Sequence, residues 1–316
     1  MLKLKDISKT YKVGTFGTKD LYAVNNVSFE VQKSEVISLI GESGSGKSTI
    51  GKMILGLISI TSGEILFEEI DISNFSKSQL KEYNRSVQGV FQDPFSSYNP
   101  IFKADRIFKI IHDEFFPETS AVDWSNKLNK ALESVGLNPK EVLDKFPHQL
   151  SGGQLQRLLI ARALLLDIKF LVADEIISML DASTRIDVLN LLAELKSKGL
   201  SILFITHDLS LGYYISQRSL ILYRGCVMEM GSTEKIYNNP QHPYTIMLMA
   251  SIPRLDKKWE AGEVELKTKQ TDLSHGCVYY NRCNKPEKNE LCQVDLPELI
   301  EIEPDHFVAC RYITKD

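Results

Sequence analysis

Nine consecutive residues, Gly41-Glu42-Ser43-Gly44-Ser45-Gly46-Lys47-Ser48-Thr49, carry the G-x-x-x-x-G-K-[ST] spacing of a loop that cradles phosphates. The loop follows the apolar run EVISLI and opens the amphipathic stretch STIGKMILGL, so a strand leads into it and a helix leads out. Its glycines let successive backbone N–H groups turn inward at a helix N-terminus, which favours anions. Lys47 is then the group that reaches the β- and γ-phosphates, and the Ser48 hydroxyl is a ligand for Mg2+.

A second acidic element completes this chemistry. Phe170-Leu-Val-Ala-Asp174-Glu175 reads as a buried strand ending in two carboxylates. Asp174 at the strand tip suits a residue that holds Mg2+ through its water shell. Glu175 suits the general base that polarises water for attack on a γ-phosphate.

The elements that must position these groups are legible as period changes. Val36–Ile40, Phe170–Ala173, Ile202–Ile205 and Leu220–Leu222 are short apolar runs expected as buried strands. Between them, Ile50, Met53, Ile54 and Leu57, and again Val188, Leu191, Leu192 and Leu195, fall at helical spacing. Strands alternating with helices predict an α/β fold with a mostly parallel sheet covered on both faces. Residues 105–145 read as mainly helical, with Ala131, Leu132, Val135 and Leu137 as an apolar stripe, so a helical subdomain is expected at about 100–160. Lys257, Lys258, Glu260 and Glu263 form a charged connector, which sets an expected boundary near 255 between a main domain, 1–255, and a C-terminal module, 256–316.

With 316 residues, the chain is long enough for one large domain and an appendage. A net charge of -4 argues against broad attraction to nucleic acid or anionic lipid. The stretch MLKLKDISKTY lacks the apolar core of a signal peptide, and no segment approaches about 18 apolar residues, so a cytosolic protein is expected. In that compartment cysteines point to metal or redox chemistry rather than structural disulfides. Cys277, Cys283, Cys292 and Cys310 are separated by five, eight and seventeen residues, whereas Cys226 stands alone in a strand pattern. Four thiolates suit either a tetrahedral zinc or a [4Fe-4S] cluster, and a bound metal would supply folding energy to a segment with few large apolar residues.

Leu150-Ser151-Gly152-Gly153-Gln154, followed by Leu-Gln-Arg157, resembles the ABC signature. Taken with the two preceding motifs, the chain resembles an ABC-transporter nucleotide-binding subunit, a P-loop NTPase with an α/β core and a helical subdomain. The resemblance implies further roles. Gln92 in FQDPFSSYNP resembles the Q-loop at the Mg2+ and γ-phosphate region, Asp181 the D-loop and His207 the switch histidine. Tyr11 resembles the aromatic residue that stacks on adenine. It also implies head-to-tail pairing, in which Ser151, Gly152, Gly153 and Gln154 of one subunit meet the ATP bound by the other. Ile176 stands where the family usually has proline and Met179 where alanine is commoner, and neither change removes a charged or phosphate-binding group.

FQDPFSSYNP, Asn239-Pro-Gln-His-Pro-Tyr-Thr245 and the C-terminal cysteines together resemble the oligopeptide/dipeptide/nickel branch, F-type subunit. His242, within the second of these stretches, is expected to be structural. The branch implies an ATPase energising an importer on the cytoplasmic membrane face, peripherally attached, with a second ATPase subunit, two permease subunits and an extracytoplasmic solute-binding protein. It also implies a [4Fe-4S] cluster on the four cysteines. Oligopeptides or dipeptides are the expected cargo, with nickel or oligosaccharide as alternatives. A soluble regulatory ABC ATPase is the rival reading, and the intact catalytic residues count against it.

Overall fold

The computed structural model describes residues 1–13, 19–251, 276–285 and 290–313. The chain divides into two compact units, one made of residues 2–30, 36–69 and 205–316, the other of residues 1, 31–35 and 70–204. The expected boundary near 255 and its charged connector lie outside the described residues.

The first unit contains two sheets. In one, the strand Leu2–Val13 lies between Lys19–Val31 and Ser62–Phe67, pairing antiparallel with the latter from Leu2 opposite Phe67 to Ser8 opposite Ser62. Its Leu-Lys-Leu-Lys start obeys the two-residue period of a half-buried strand. Leu2 and Leu4 are buried, and Lys3 and Lys5 pair with Glu30 and Glu64 at the surface. In the other sheet, Val36–Ile40 runs parallel to Arg218–Tyr223, with Leu39 opposite Leu220. A hairpin then brings Cys226–Ser232 antiparallel to Arg218–Tyr223. His306–Val308 adds to the outer side of Cys226–Ser232, and Ile300–Glu303 adds beyond it.

The C-terminal segment is thus a continuation of the sheet that carries the phosphate loop. Beside it, Tyr223, Cys226, Tyr244, Cys277, Tyr279 and Cys292 share one buried cluster with Ile40 and Ile236. Ile50, Met53 and Ile54 of the helix Lys47–Ile54 are buried as their spacing implies, but that helix ends before Leu57, which is 61% exposed.

The second unit has a parallel core. Val87–Val90 pairs with Phe170–Asp174 from Val87 opposite Phe170 to Val90 opposite Ala173, and Ser201–Thr206 neighbours Phe170–Asp174 on its other side. Phe170, Leu171, Val172 and Ala173 are fully buried, which explains their unbroken apolar run. Helices Arg106–Phe115, Ala121–Ser134 and Pro139–Val142 fill the segment expected to be helical. Ala131 and Leu132 are buried inside the second of these, whereas Val135 and Leu137 stay buried beyond its end. Gly152–Leu164 and Ala182–Ser197 complete the unit's longer helices, the latter burying Val188, Leu191, Leu192 and Leu195. No helix among the described residues is long and apolar enough to cross a membrane.

Candidate nucleotide site

In the first unit the phosphate loop leaves the strand Val36–Ile40 and enters the helix Lys47–Ile54. That helix starts at Gly46 with no side-chain cap and no acidic residue in its first turn, so its N-terminal dipole has no anion of its own. Gly46 takes φ 105°, and a Cβ there would stand 2.3 Å from the Ala23 carbonyl oxygen. A Cβ on Gly41 would stand 2.1 Å from the Leu222 carbonyl oxygen. The loop is therefore wedged against its neighbours at both ends, and only glycine fits.

Lys47 is buried and donates to the carbonyl oxygens of Gly41 at 2.8 Å and Glu42 at 2.9 Å. Its ammonium is folded into the mouth of the loop, where a phosphate oxygen could replace those carbonyls. The Ser45 Oγ is buried and has no hydrogen-bond partner among the described residues, and the Ser45 carbonyl accepts from the Gly225 N–H. Ser43, Gly44 and Ser48 are exposed, and Thr49 is half-buried. An anchored cation, an uncapped helix start and an unpartnered buried hydroxyl together fit a polyphosphate. His207 follows the strand Ser201–Thr206 and is exposed, while the next residue, Asp208, caps the helix Leu209–Ile215 through Ser210 and Leu211. Tyr11 lies on Leu2–Val13, 39% exposed, with the Lys9 ammonium 5.2 Å from its ring centre.

In the second unit Asp174 ends the strand Phe170–Asp174 and is buried, and Glu175 follows at φ 51°. A side chain in the left-handed region costs free energy and persists only where the surroundings enforce it. Here Ser178 donates to the Glu175 carbonyl from both its N–H and its hydroxyl, and Arg185 ties the carbonyls of Ser178 and Leu180. Ile176 is buried, so at the position where proline is usual an apolar side chain anchors the turn by packing; Met179 is exposed.

Asp181 caps the helix Ala182–Ser197, accepting from the Thr184 N–H and from the hydroxyls of Ser183 and Thr184. These bonds, the Ser183 hydroxyl first, hold its carboxyl far below the usual carboxylate range. Ser151 caps the helix Gly152–Leu164 in a reciprocal arrangement with Gln154. Across from it, a Cβ on Gly153 would meet the Thr184 methyl at 2.8 Å, so the signature and D-loop helices approach closely there. Gln92 is exposed on its loop. The flanks of that loop are fixed from the helix Gly152–Leu164: Arg162 donates to the Gly89 carbonyl at 2.7 Å and Gln156 to the Phe91 carbonyl at 3.4 Å.

Known proteins place this arrangement. A family described as ABC transporter matches residues 24–178, and one described as oligopeptide/dipeptide transporter, C-terminal region, matches residues 228–292. The oligopeptide transport ATP-binding protein AppF of Bacillus subtilis (strain 168) is 39% identical, the alignment covering 98% of this chain and 97% of AppF. OppF of the same organism, also an oligopeptide transport ATP-binding protein, is 40% identical over 98% of this chain and 96% of OppF. The chain belongs to the ATP-binding subunits of the oligopeptide/dipeptide ABC transporters. As an ABC ATPase it is also similar to a solved dimeric ATP-binding cassette, MJ0796, in a post-hydrolysis state bound to ADP and Pi. The TM-score is 0.66 at 29% identity, covering 74% of this chain and 99% of that one.

The cysteines of this transporter subunit lie in the first unit. Cys277 and Cys292 are buried, Cys283 and Cys310 half-buried, and the Cys277 N–H donates to the Cys292 carbonyl. Burial pushes the Cys277 thiol up to about 11, and the neighbouring Cys310, Cys283 and Cys292 add to the rise. Cys310 is raised likewise, by burial first and by Cys283 and Cys292 in part. Four thiols, two buried and two half-buried, are a donor set that a cation would convert to thiolates. Yet no three Cys, His, Asp or Glu side chains among the described residues stand in a metal-holding arrangement, so the expected four-thiolate centre is not formed in this structure. His242 is buried and caps the helix Pro243–Ala250 through the Tyr244 N–H, the structural role expected of it.

Proposed function

We propose that this subunit hydrolyses MgATP to drive import of oligopeptides or dipeptides through two membrane permease subunits. The observation that carries the ATP reading is the Lys47 ammonium held by the Gly41 and Glu42 carbonyls, at the uncapped start of a helix. Lys47 and the loop N–H groups bind the β- and γ-phosphates, while Ser48, Asp174 and Gln92 hold Mg2+. The metal, when bound, neutralises charge on the β- and γ-oxygens. Glu175 orients and deprotonates water, His207 contacts the γ-phosphate, and Tyr11 stacks on adenine. Ser151, Gly152, Gly153, Gln154 and Asp181 serve the site of a paired subunit. The likeness to a dimeric cassette supports pairing, and the oligopeptide branch favours a second, different ATPase as the partner. Attachment is then peripheral, at the cytoplasmic face, through the permeases.

The cargo reading rests on relatives named as oligopeptide transport proteins. Reconstitution with its permeases and binding protein in proteoliposomes tests it. The expected result is ATP-dependent peptide uptake lost in Lys47→Ala, and uptake of nickel or oligosaccharide instead would replace the peptide assignment.

The four cysteines are proposed as ligands of an iron-sulfur cluster with a structural role. The support is the resemblance to the F-type subunits, together with Cys277 and Cys292 being buried and joined by the Cys277 N–H to the Cys292 carbonyl. Anaerobically purified protein is expected to be brown and to contain iron. A colourless, zinc-loaded protein would assign the site to zinc, and metal-free protein would remove it.

A further inference from the structure

We propose that Arg282 is a positioning residue of the ATP site, acting from the cysteine-bearing segment on the second residue of the phosphate loop. The inference rests on the reading of residues 41–49 as that loop. Arg282 donates from one terminal guanidinium nitrogen to the Glu42 carboxylate at 2.9 Å, across 240 residues of sequence. The pair is sheltered, with 20% of the Arg282 side chain and 40% of the Glu42 side chain exposed.

Arg282 is itself fixed. Its guanidinium lies 5.6 Å from the centre of the Tyr223 ring and 5.7 Å from that of Tyr279, within reach of cation–π attraction. Tyr223, Tyr244 and Tyr279 pack on one another with ring centres 4.6 to 5.4 Å apart. From the same cluster, the Tyr244 hydroxyl accepts the Glu42 N–H at 3.1 Å. Glu42 is thus held at its backbone by Tyr244 and at its carboxylate by Arg282, while its carbonyl takes the Lys47 ammonium.

A carboxylate in a loop that receives a polyanion is an electrostatic liability. Arg282 cancels its charge and draws it onto the tyrosine cluster. Without Arg282 the Glu42 charge is uncompensated and opposes the incoming phosphates. A purely architectural arginine would lack this signature, because its loss could not be undone by removing the carboxylate.

The test is equilibrium binding of MgATP to the full-length chain by titration calorimetry, at low and high NaCl. Arg282→Gln is expected to bind about three- to tenfold more weakly at low salt, with the defect shrinking at high salt as the repulsion is screened. Arg282→Lys, which keeps the charge, is expected to recover most of the affinity. So is Arg282→Gln combined with Glu42→Gln, which deletes both charges. Unchanged affinity in Arg282→Gln would overturn the proposal, as would a salt-independent defect or a double variant as weak as the single one. Lys47→Ala separates the two readings. If it abolishes binding while Arg282→Gln binds normally, only the role of Arg282 falls; if Lys47→Ala still binds, the phosphate-loop reading falls with it.

Discussion

His306 joins two carboxylates at once: its Nε2 lies 2.7 Å from Glu229 and its Nδ1 2.9 Å from Glu303. Both carboxylates are served only if both ring nitrogens carry protons, so the geometry calls for an imidazolium. Glu229, fully buried, also accepts from the N–H groups of Gln241 and His242, and Lys235 faces Glu303 from the helix Thr233–Asn238. This network fastens His306–Val308 to Cys226–Ser232 and to the start of the helix Pro243–Ala250.

Burial alone would lower the His306 pKa, but its bonds to Glu229 and Glu303 outweigh it and the net shift is upward. A group raised above its unfolded value, about 6.5 for histidine, contributes stability that is full below that pH and fades as pH climbs through the folded value. Thermal melts from pH 6 upward should therefore show a declining midpoint, with amide exchange in 306–308 accelerating first. His306→Gln is expected to be less stable at pH 6 and to have a flatter profile, and an unchanged slope would refute the assignment.

Glu175→Gln should bind MgATP and turn it over about 10²- to 10⁴-fold more slowly, the range typical of losing a general base. Single-turnover hydrolysis in the assembled transporter reads the chemical step directly. A variant within tenfold of the parent would remove Glu175 from that role.

Gly46→Ala should be among the most damaging single changes in the loop. It combines φ 105° with a Cβ 2.3 Å from the Ala23 carbonyl, so the backbone must move. A cost of about 2 kcal/mol or more is expected in denaturant unfolding, with loss of MgATP binding even where the protein folds.

Ser151→Ala deletes the cap of the helix Gly152–Leu164 and should cost roughly 1 kcal/mol of stability. Ser151→Asp should recover that stability by capping in the same way. In the assembled transporter it should nevertheless depress hydrolysis, because it adds a negative charge where the paired subunit's γ-phosphate is proposed to dock.

Arg162→Met should loosen the loop that carries Gln92. Arg162 is half-buried, and desolvation pulls its guanidinium below its usual value while it satisfies the Gly89 carbonyl. Orphaning that carbonyl costs about 1 to 3 kcal/mol. Peptide-stimulated hydrolysis should fall more than basal hydrolysis, and equal losses would argue against a link through the loop.

The parts of the fold legible in the sequence are those where one physical demand acts alone. Phe170–Asp174 is buried throughout and reads as an unbroken apolar run; Gly41 to Thr49 is a contiguous motif whose spacing is its geometry. The sheet around Leu2–Val13 is harder to read, because the alternation of leucine with lysine lasts only four residues before the irregularity between Lys5 and Ser8 breaks the period. The pairing of Cys226–Ser232 with His306–Val308 hinges on a buried glutamate and histidine, residues that sequence reading assigns to the surface. Arg282 and Arg162 carry no motif, and only tertiary proximity makes them relevant.

The bond between Glu42 and Arg282 also sets a timetable for synthesis. The 240 residues between them take on the order of tens of seconds to translate. Throughout that interval the phosphate loop has left the ribosome while its carboxylate still awaits its counter-charge. Nucleotide encountered by the nascent chain meets an incomplete cradle, so this ATPase acquires its full affinity only after most of the polypeptide has emerged.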